Sequence, residues 1–220
     1  MTDTARLIDQ LVAQAKPVRP LASPWRRTVL WVALAAGLIA LMVAVKGIRP
    51  GLASDFSAPP LLIEWIASIC TGLLAAYAVF QISVPGRSPR WSWLPVPALF
   101  LWLSGLGWGC LRDAARMGSE AFVLEMASAE CAVAIAMISI PLGLVMLLMV
   151  RHAGVIRPGP TAMLSALSAA ALSAAGVSLI HSGESAVMVL LWHVGAVAML
   201  SLLCLALGRP LFAWIGHVKR

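Results

Sequence analysis

Six long apolar stretches, separated by short polar connections, make up most of the chain. They cover residues 28–48, 61–83, 92–111, 127–150, 161–180 and 187–208. An α-helix needs roughly 20 apolar residues to cross the hydrocarbon core of a bilayer, which is about 30 Å thick. None of the stretches alternates apolar and polar residues as a membrane β-strand does. The pattern therefore predicts an all-α membrane protein, a six-transmembrane-helix bundle in which successive helices pack as antiparallel hairpins.

Composition agrees with a lipid environment. Of the 220 residues, 61% are apolar and 11% are charged, whereas ordinary soluble domains have about 45–50% and about 25%. That balance excludes a soluble enzyme, a disordered chain and a disulfide-framed secreted module. No cleavable signal peptide is visible in the polar, basic N-terminal segment. We divide the chain into a cytoplasmic tail (1–26), the bundle (27–209) and a C-terminal cytoplasmic tail (210–220).

The basic residues predict the orientation of the bundle. With six spans, both termini share one side of the membrane with the connections at 84–91 and 151–160. That side holds most of the 16 Lys and Arg residues, namely Arg6, Lys16, Arg19, Arg26, Arg27, Arg87, Arg90, Arg151, Arg157, Arg209, Lys219 and Arg220. By the positive-inside rule, both termini are cytoplasmic. Because topology accounts for most of the net charge of +7, direct binding of nucleic acid is not expected.

An amphipathic helix is predicted in the N-terminal tail. Leu7, Ile8, Leu11 and Val12 recur at helical spacing on an otherwise polar segment of about 12 residues. Such a helix is too short to be stable alone, and the prolines in residues 17–24 favour extended backbone after it. Two roles fit the pattern equally well. The helix either lies on the inner leaflet or binds in a groove of a cytosolic protein.

Small residues predict how the helices pack. Residues 161–180 are rich in Ser, Ala and Gly, and small side chains allow helices to approach closely. We expect this span at the centre of the bundle. Gly118 suits the position just after a helix C-terminus, so the third and fourth spans should meet at a tight turn there.

Several reactive side chains are predicted at the outer ends of the spans. Cys131 follows Glu130 at the start of the fourth span, while His181 and Glu184 lie between the fifth and sixth. These residue types bind soft or borderline metals. Cys131 itself has no potential ligand three or four positions away, however, and a packed, inert thiol is an equally good interpretation of it.

Two further ionisable groups lie within spans, where such groups are functional candidates. Glu64 is about one turn into the second span and His193 about two turns into the sixth. Together with Glu130 they would form a polar path, so a small transporter or channel subunit is the alternative function. The structural interpretation is a snorkelling carboxylate for each Glu and a satisfied buried hydrogen bond for His193. Known catalytic and cofactor-binding motifs are lacking in the sequence, so neither enzymatic activity nor a resident cofactor is expected.

The chain resembles the negative regulator of sigma F (NrsF) family over essentially its whole length. The resemblance rests on one cysteine, Cys131, and on the tail motifs Leu7-Ile8-x-x-Leu11 and Pro17-Val18-Arg19-x-Leu21. Members of that family are inner-membrane anti-sigma factors. They hold an extracytoplasmic-function sigma factor at the membrane and release it under oxidant or heavy-metal stress.

The resemblance implies a role for each end of the bundle. The residues implied in sigma-factor binding are Leu7, Ile8, Leu11, Val12, Pro17, Val18 and Arg19. Those implied in sensing at the periplasmic face are Cys131, Glu130, His181, Ser182 and Glu184. Cys131 and His181 are the candidates to hold a heavy-metal ion that acts as the signal. The partners implied are the sigma factor and membrane lipid.

The chain departs from the family pattern at one sensing position. The family has a second outer cysteine in a His-Cys-x-x-(Asp/Glu)-Ser-like stretch, where this chain has Ser182. A serine keeps the size of cysteine but is neither oxidisable nor a good ligand for soft metals. An intramolecular disulfide between Cys131 and position 182 is therefore out of reach.

Overall fold

The computed structural model describes residues 3–14, 21–57, 59–118, 129–180 and 186–215. These residues form helices and their connections, and no strand occurs among them. The α-helices are α1 (Asp3–Gln14), α2 (Pro24–Lys46), α3 (Leu52–Phe56), α4 (Pro59–Ile82), α5 (Val96–Met117), α6 (Ala129–Val150), α7 (Pro158–Val177), α8 (Ala186–Met188) and α9 (Gly195–Trp214). A 3-10 turn (Pro89–Trp93) precedes α5, and a π-helical turn (Val189–Val194) leads into α9. The all-α prediction is confirmed for these residues.

Six helical segments within the described ranges are long and apolar enough to cross a membrane. They are Pro24–Lys46, Pro59–Ile82, Pro89–Met117, Glu130–Val150, Pro158–Val177 and Val189–Trp214. Their outward faces carry large apolar side chains, such as Leu34, Leu41 and Val45 on α2, which are 49%, 61% and 76% exposed. An apolar surface of this extent suits contact with lipid rather than water.

The central position predicted for the small-residue span is confirmed. In α7, every residue from Leu164 to Val177 is buried. Glycines on its neighbours bring the backbones together, since a Cβ at Gly72 of α4 would lie 2.6 Å from Leu172 Cγ. The Ser168 hydroxyl donates to the Gly72 carbonyl at 2.6 Å. A Cβ at Gly208 of α9 would lie 2.5 Å from Gly159 Cα of α7.

The helix ends follow local chemistry. The Ser23 hydroxyl accepts a hydrogen bond from the Arg26 amide at 3.4 Å, and Pro24 occupies the first turn of α2. Gly118 ends α5 with φ of +61°, a left-handed conformation that favours glycine. The prediction of a helix end at Gly118 is confirmed, whereas residues 119–128, where the predicted tight turn would continue, lie outside the described residues.

Three features differ from the sequence prediction. The short helix α3 lies in what was expected to be a simple connection. The last helix continues past Pro210 to Trp214 instead of ending near 208. Its first turn is π-helical, and the Gly195 amide donates to the Leu190 carbonyl five residues back. A π-helical turn contains one residue more than an α-helical turn. The hydrophobic run gives no sign of that residue, so the sequence pattern did not predict the π-helical turn.

Candidate functional site

The predicted helix in the tail is present and its apolar face is uncovered. α1 spans 12 residues, none of them buried. Leu7, Ile8, Leu11 and Val12 are 55%, 54%, 60% and 68% exposed. A stripe of this kind on a helix too short to be stable alone is typical of a segment that binds another surface. Pro17, Val18 and Arg19, which the resemblance implied as further contacts, lie outside the described residues.

Arg27 lies where the tail meets the bundle, at the start of α2. Its side chain binds the end of α6. Arg27 is only 7% exposed. Its Nη2 donates to the Met149 carbonyl at 2.7 Å, and its guanidinium carbon lies 4.7 Å from the centre of the Phe80 ring. The last carbonyls of a helix have no intrahelical partner and favour a positive charge. Arg27 therefore closes the C-terminal end of α6.

A second bond joins the same two helices one turn further into the bundle. Trp31 is fully buried, and its Nε1 donates to the Leu142 carbonyl of α6 at 3.1 Å. Because α2 follows the tail directly, any displacement of α6 must break these two bonds or move α2 with it. We call the end of the bundle with Arg27 and Met149 the tail end.

Cys131 lies at the opposite end of α6, about 27 Å from Met149 along the helix axis. We call this the far end. Cys131 is fully buried in the hydrophobic core, while the neighbouring Glu130 is exposed. His181, Ser182 and Glu184 lie outside the described residues, so their predicted proximity to Cys131 stays a prediction. Within the described part of the chain there is no disulfide and no group of three or more potential metal ligands.

A cavity of about 520 Å³ lies at the far end, within the usual size range of small-molecule sites. It is lined by the first half of α4, residues 102–113 of α5, the end of α7 and the π-helical turn, together with α3. Its charged or aromatic lining residues are Arg49, Asp55, Phe56, Glu64, Trp65, Trp102, Arg112, Asp113 and His193. Glu64 and His193, two members of the polar path considered from the sequence, thus line one cavity, whereas the third member, Glu130, does not line it.

One wall of the cavity is held rigidly by hydrogen bonds and an ion pair. The Trp65 Nε1 donates to the Ala175 carbonyl at 3.0 Å, and the Trp65 ring packs against Phe56 with ring centres 5.2 Å apart. Arg49 Nη2 pairs with Asp55 Oδ2 at 2.9 Å, and the Arg49 backbone amide donates to the Leu179 carbonyl at 3.0 Å. These bonds fix α3 and the segment after α2 against the end of α7 and the residues that follow it.

Glu64, the residue before Trp65 on α4, lies against a glycine of α5. A Cβ at Gly105 of α5 would lie 2.6 Å from Glu64 Cγ, so a larger residue at this position would displace the Glu64 side chain from where it lies. Glu64 is half-buried and interacts electrostatically with Arg112 and Asp113 at the end of α5. Among the described residues, none donates a hydrogen bond to its carboxylate.

Sequence reasoning missed four charged residues of this cavity: Arg49, Asp55, Arg112 and Asp113. One signal was available, since all four fall in or beside connections on the same predicted side of the membrane. That pattern was used only to determine orientation. It could not show that the two connections converge, because their proximity depends on the packing of α4 between them.

A comparison with protein families supports the resemblance noted in the sequence. A family model described as negative regulator of sigma F matches residues 11–214. The match begins within α1 and ends at the last residue of α9, so it covers all six membrane-length helices. No curated protein and no solved structure matches the chain. The match over nearly the whole sequence shows that the chain belongs to the negative regulator of sigma F family.

Proposed function

We propose that the protein is a membrane-bound anti-sigma factor that sequesters an extracytoplasmic-function sigma factor. Membership of the family makes it a negative regulator of a sigma factor, and thus a regulator with a sigma-factor partner. The proposal rests on the exposed apolar face of α1. Among the described residues, α1 is the segment with the pattern of a helix that binds to a soluble protein.

Docking of the tail would follow the helix-in-groove mode. Leu7 and Leu11 lie one helical turn apart, as do Ile8 and Val12, so all four side chains can enter one groove. The extended segment with Pro17, Val18 and Arg19 would continue the contact beyond the helix. Binding would order a helix that is unstable alone, and occupation of the groove would block the polymerase-binding surface of the sigma factor.

Orientation in the membrane follows from the basic residues. We place the protein in the bacterial inner membrane with both termini in the cytoplasm, since Lys and Arg are concentrated on the side of the termini. The tail is then on the side where sigma factors act, and the far end of the bundle faces the periplasm.

Release of the sigma factor would begin at Cys131. In the described packing its side chain is fully buried, so an oxidant or a heavy-metal ion reaches the thiol only when the start of α6 moves. A reagent that reacts only with the opened form shifts the population toward that form. Glu130 and the residues His181, Ser182 and Glu184 would surround the reacting thiol. A bound heavy-metal ion, held by Cys131 and His181, would act as a signal rather than a resident cofactor.

The change would cross the membrane along α6. Displacement of its first turn is transmitted by a single helix to the carbonyls of Leu142 and Met149, which bind Trp31 and Arg27 of α2. Because α2 follows the tail directly in the chain, a different packing of α2 against α6 would change how α1 is exposed to the sigma factor.

The experiment that tests the function measures repression by tail variants. Cells carry a reporter gene driven by the sigma factor and express either the full chain or a chain that lacks residues 1–20. We expect the truncated protein to reach the membrane but to leave the reporter fully active. Continued repression by the truncated chain would refute docking through the tail.

One observation favours the alternative of a transporter or channel subunit. Glu64 and His193 line the same cavity, as a polar path would require. If the protein is a transporter or channel subunit, vesicles that contain the purified protein will show solute flux, and this flux will not depend on the tail. Flux assays with the full chain and the chain lacking residues 1–20 separate the two functions.

A further inference from the structure

We propose that a groove at the tail end binds an anionic phospholipid, with the lipid phosphate on Arg90 and an acyl chain along Trp93 and the first turns of α5. The groove has a volume of about 430 Å³, and its lining residues are Ser88, Arg90, Trp91, Trp93, Leu94 and Pro97. None of them belongs to α1 or to the cavity at the far end. The inference goes beyond the proposed function and shares with it only the location in a membrane.

The groove lies at the tail end because the 3-10 turn Pro89–Trp93 follows α4 in the chain. The last turns of α4 are at that end, since the Phe80 ring lies 4.7 Å from the guanidinium carbon of Arg27. Trp91, in the middle of the turn, packs edge-on against Tyr77 of α4 with ring centres 5.7 Å apart. The turn is therefore held against α4, and the groove is formed before any ligand binds.

The rim of the groove carries positive charge. Arg87 and Arg90 are both exposed, and no described carboxylate lies within 4.0 Å of either guanidinium group. The described carboxylates outside α1 belong to the far end, and they are Asp55, Glu64, Asp113 and Glu130. An anionic group is therefore the complementary ligand at the tail end. Guanidinium groups suit phosphate in particular, because their N–H groups match pairs of phosphate oxygens.

An apolar track leads from Arg90 along α5. Positions 90 and 93 lie three residues apart in a 3-10 turn, which places their side chains on one face, and both residues line the groove. Pro97 and Leu101 follow at helical spacing. Trp93 and Leu101 are 71% and 51% exposed, and Pro97 is also exposed. The track suits an acyl chain, whereas a free phosphate ion would leave it uncovered.

Exposed tryptophans favour a lipid over a protein as the occupant. Trp25 at the start of α2 and Trp214 at the end of α9 are 66% and 75% exposed, and both lie at the tail end, as Trp93 does. Tryptophan concentrates where the hydrocarbon meets the headgroups. The anion next to Arg90 is therefore a lipid phosphate. A zwitterionic headgroup fits less well, because its ammonium group is repelled by the guanidinium groups.

The test uses the full chain in dodecyl maltoside, an uncharged detergent, titrated with phosphatidylglycerol and followed by native mass spectrometry. Phosphatidylcholine with the same acyl chains is the control for apolar contact, and inorganic phosphate is the control for charge alone. We expect the wild type to bind phosphatidylglycerol at least about tenfold more tightly than phosphatidylcholine. Inorganic phosphate at the same concentration should not displace the lipid.

Two pairs of variants locate the site. We expect Arg90→Gln to lower the affinity for phosphatidylglycerol by about tenfold, since a charged hydrogen bond is lost. Arg26→Gln removes the same charge from an exposed side chain of α2 and should bind like the wild type. Trp93→Ala should lower the affinity by about fivefold or more, whereas Trp25→Ala should leave it unchanged. All four side chains are exposed, and thermal unfolding checks that each variant is folded.

Three results would overturn the proposal. They are equal affinity for the two lipids, displacement of phosphatidylglycerol by inorganic phosphate, and equal affinity of Arg90→Gln and Arg26→Gln for phosphatidylglycerol. The titration contains no sigma factor, so its outcome is independent of docking through α1. Loss of lipid binding would leave the proposed function standing, and repression without the tail would leave the lipid site standing.

Discussion

At the scale of single residues, three long side chains connect helices by donating to distant carbonyl oxygens. Arg27, Trp31 and Trp65 bind the carbonyls of Met149, Leu142 and Ala175. The sequence shows that these residues are present but not which carbonyl each one meets, because the partner is more than 100 positions away. Exposed apolar residues at helical spacing, such as Leu7 and Leu11, were predictable because their pattern is local.

Replacement of Arg27 tests the bond at the tail end. In Arg27→Gln the charged contacts with the Met149 carbonyl and the Phe80 ring are lost, and a buried position is left poorly filled. We expect the free energy of unfolding in detergent to fall by about 1.5–3 kcal/mol. The adjacent variant Arg26→Gln removes the same charge from an exposed side chain and should change stability little. Equal stability of the two variants would contradict the role assigned to Arg27.

Replacement of Cys131 tests the sensing step. We expect Cys131→Ala to lose induction of the sigma-dependent reporter by cadmium and by oxidant, since the reacting thiol is gone. Cys70→Ala is the matched control, because Cys70 lies in the middle of α4, away from the far end. A Cys131→Ala variant with normal induction would remove this thiol from the mechanism.

At the scale of helices, small residues decide which surfaces meet. The composition of residues 161–180 was sufficient to predict that α7 is central, since a helix of Ser, Ala and Gly offers close approach on every side. It did not identify the glycines of neighbouring helices that touch α7. Gly72 and Gly208 are in contact with α7, whereas Gly143 has nothing within 4 Å of its Cβ position.

Alanine substitution at Gly208 and at Gly143 should have different effects on stability. At Gly208 the new Cβ would lie 2.5 Å from Gly159 Cα and 2.8 Å from the carbonyl carbon of Pro158, and backbone atoms cannot move aside. We expect Gly208→Ala to destabilise the protein by about 1–3 kcal/mol. Gly143→Ala in α6 should be neutral or stabilise by up to about 1 kcal/mol, through helix propensity. The stabilities of the two variants are compared by thermal unfolding in the same detergent. A Gly208→Ala protein as stable as the wild type would contradict the close contact of α9 with α7.

At the scale of the whole molecule, α6 joins two ends with different chemistry. The tail end bears α1 and the Arg27 contact, and the far end holds Cys131 and the cavity. Hydrophobic length and the positions of Lys and Arg were enough to predict six spans and an orientation. The cavity was not predictable, because Arg49, Glu64, Asp113 and His193 come from separate segments that only the packed bundle brings together.

Fusion proteins test the orientation. Alkaline phosphatase fused after Arg220 should be inactive, because that enzyme folds only in the oxidising periplasm. The same enzyme inserted after Gly118, between α5 and α6, should be active. The opposite pair of results would invert the topology and place α1 on the wrong side for a sigma factor.

The central claim is that the apolar face of α1 binds the sigma factor, and an affinity measurement tests it most directly. The full chain in nanodiscs is titrated with its purified sigma factor, and is compared with a variant that has serine at positions 7, 8, 11 and 12. We expect the affinity of this variant to be lower by about 100-fold or more, since buried interface anchors each contribute more than about 1 kcal/mol. A matched double variant on the opposite, polar face, Arg6→Gln with Asp9→Asn, keeps the net charge and should bind like the wild type. Equal binding of the sigma factor by the serine variant and the wild type would contradict the claim.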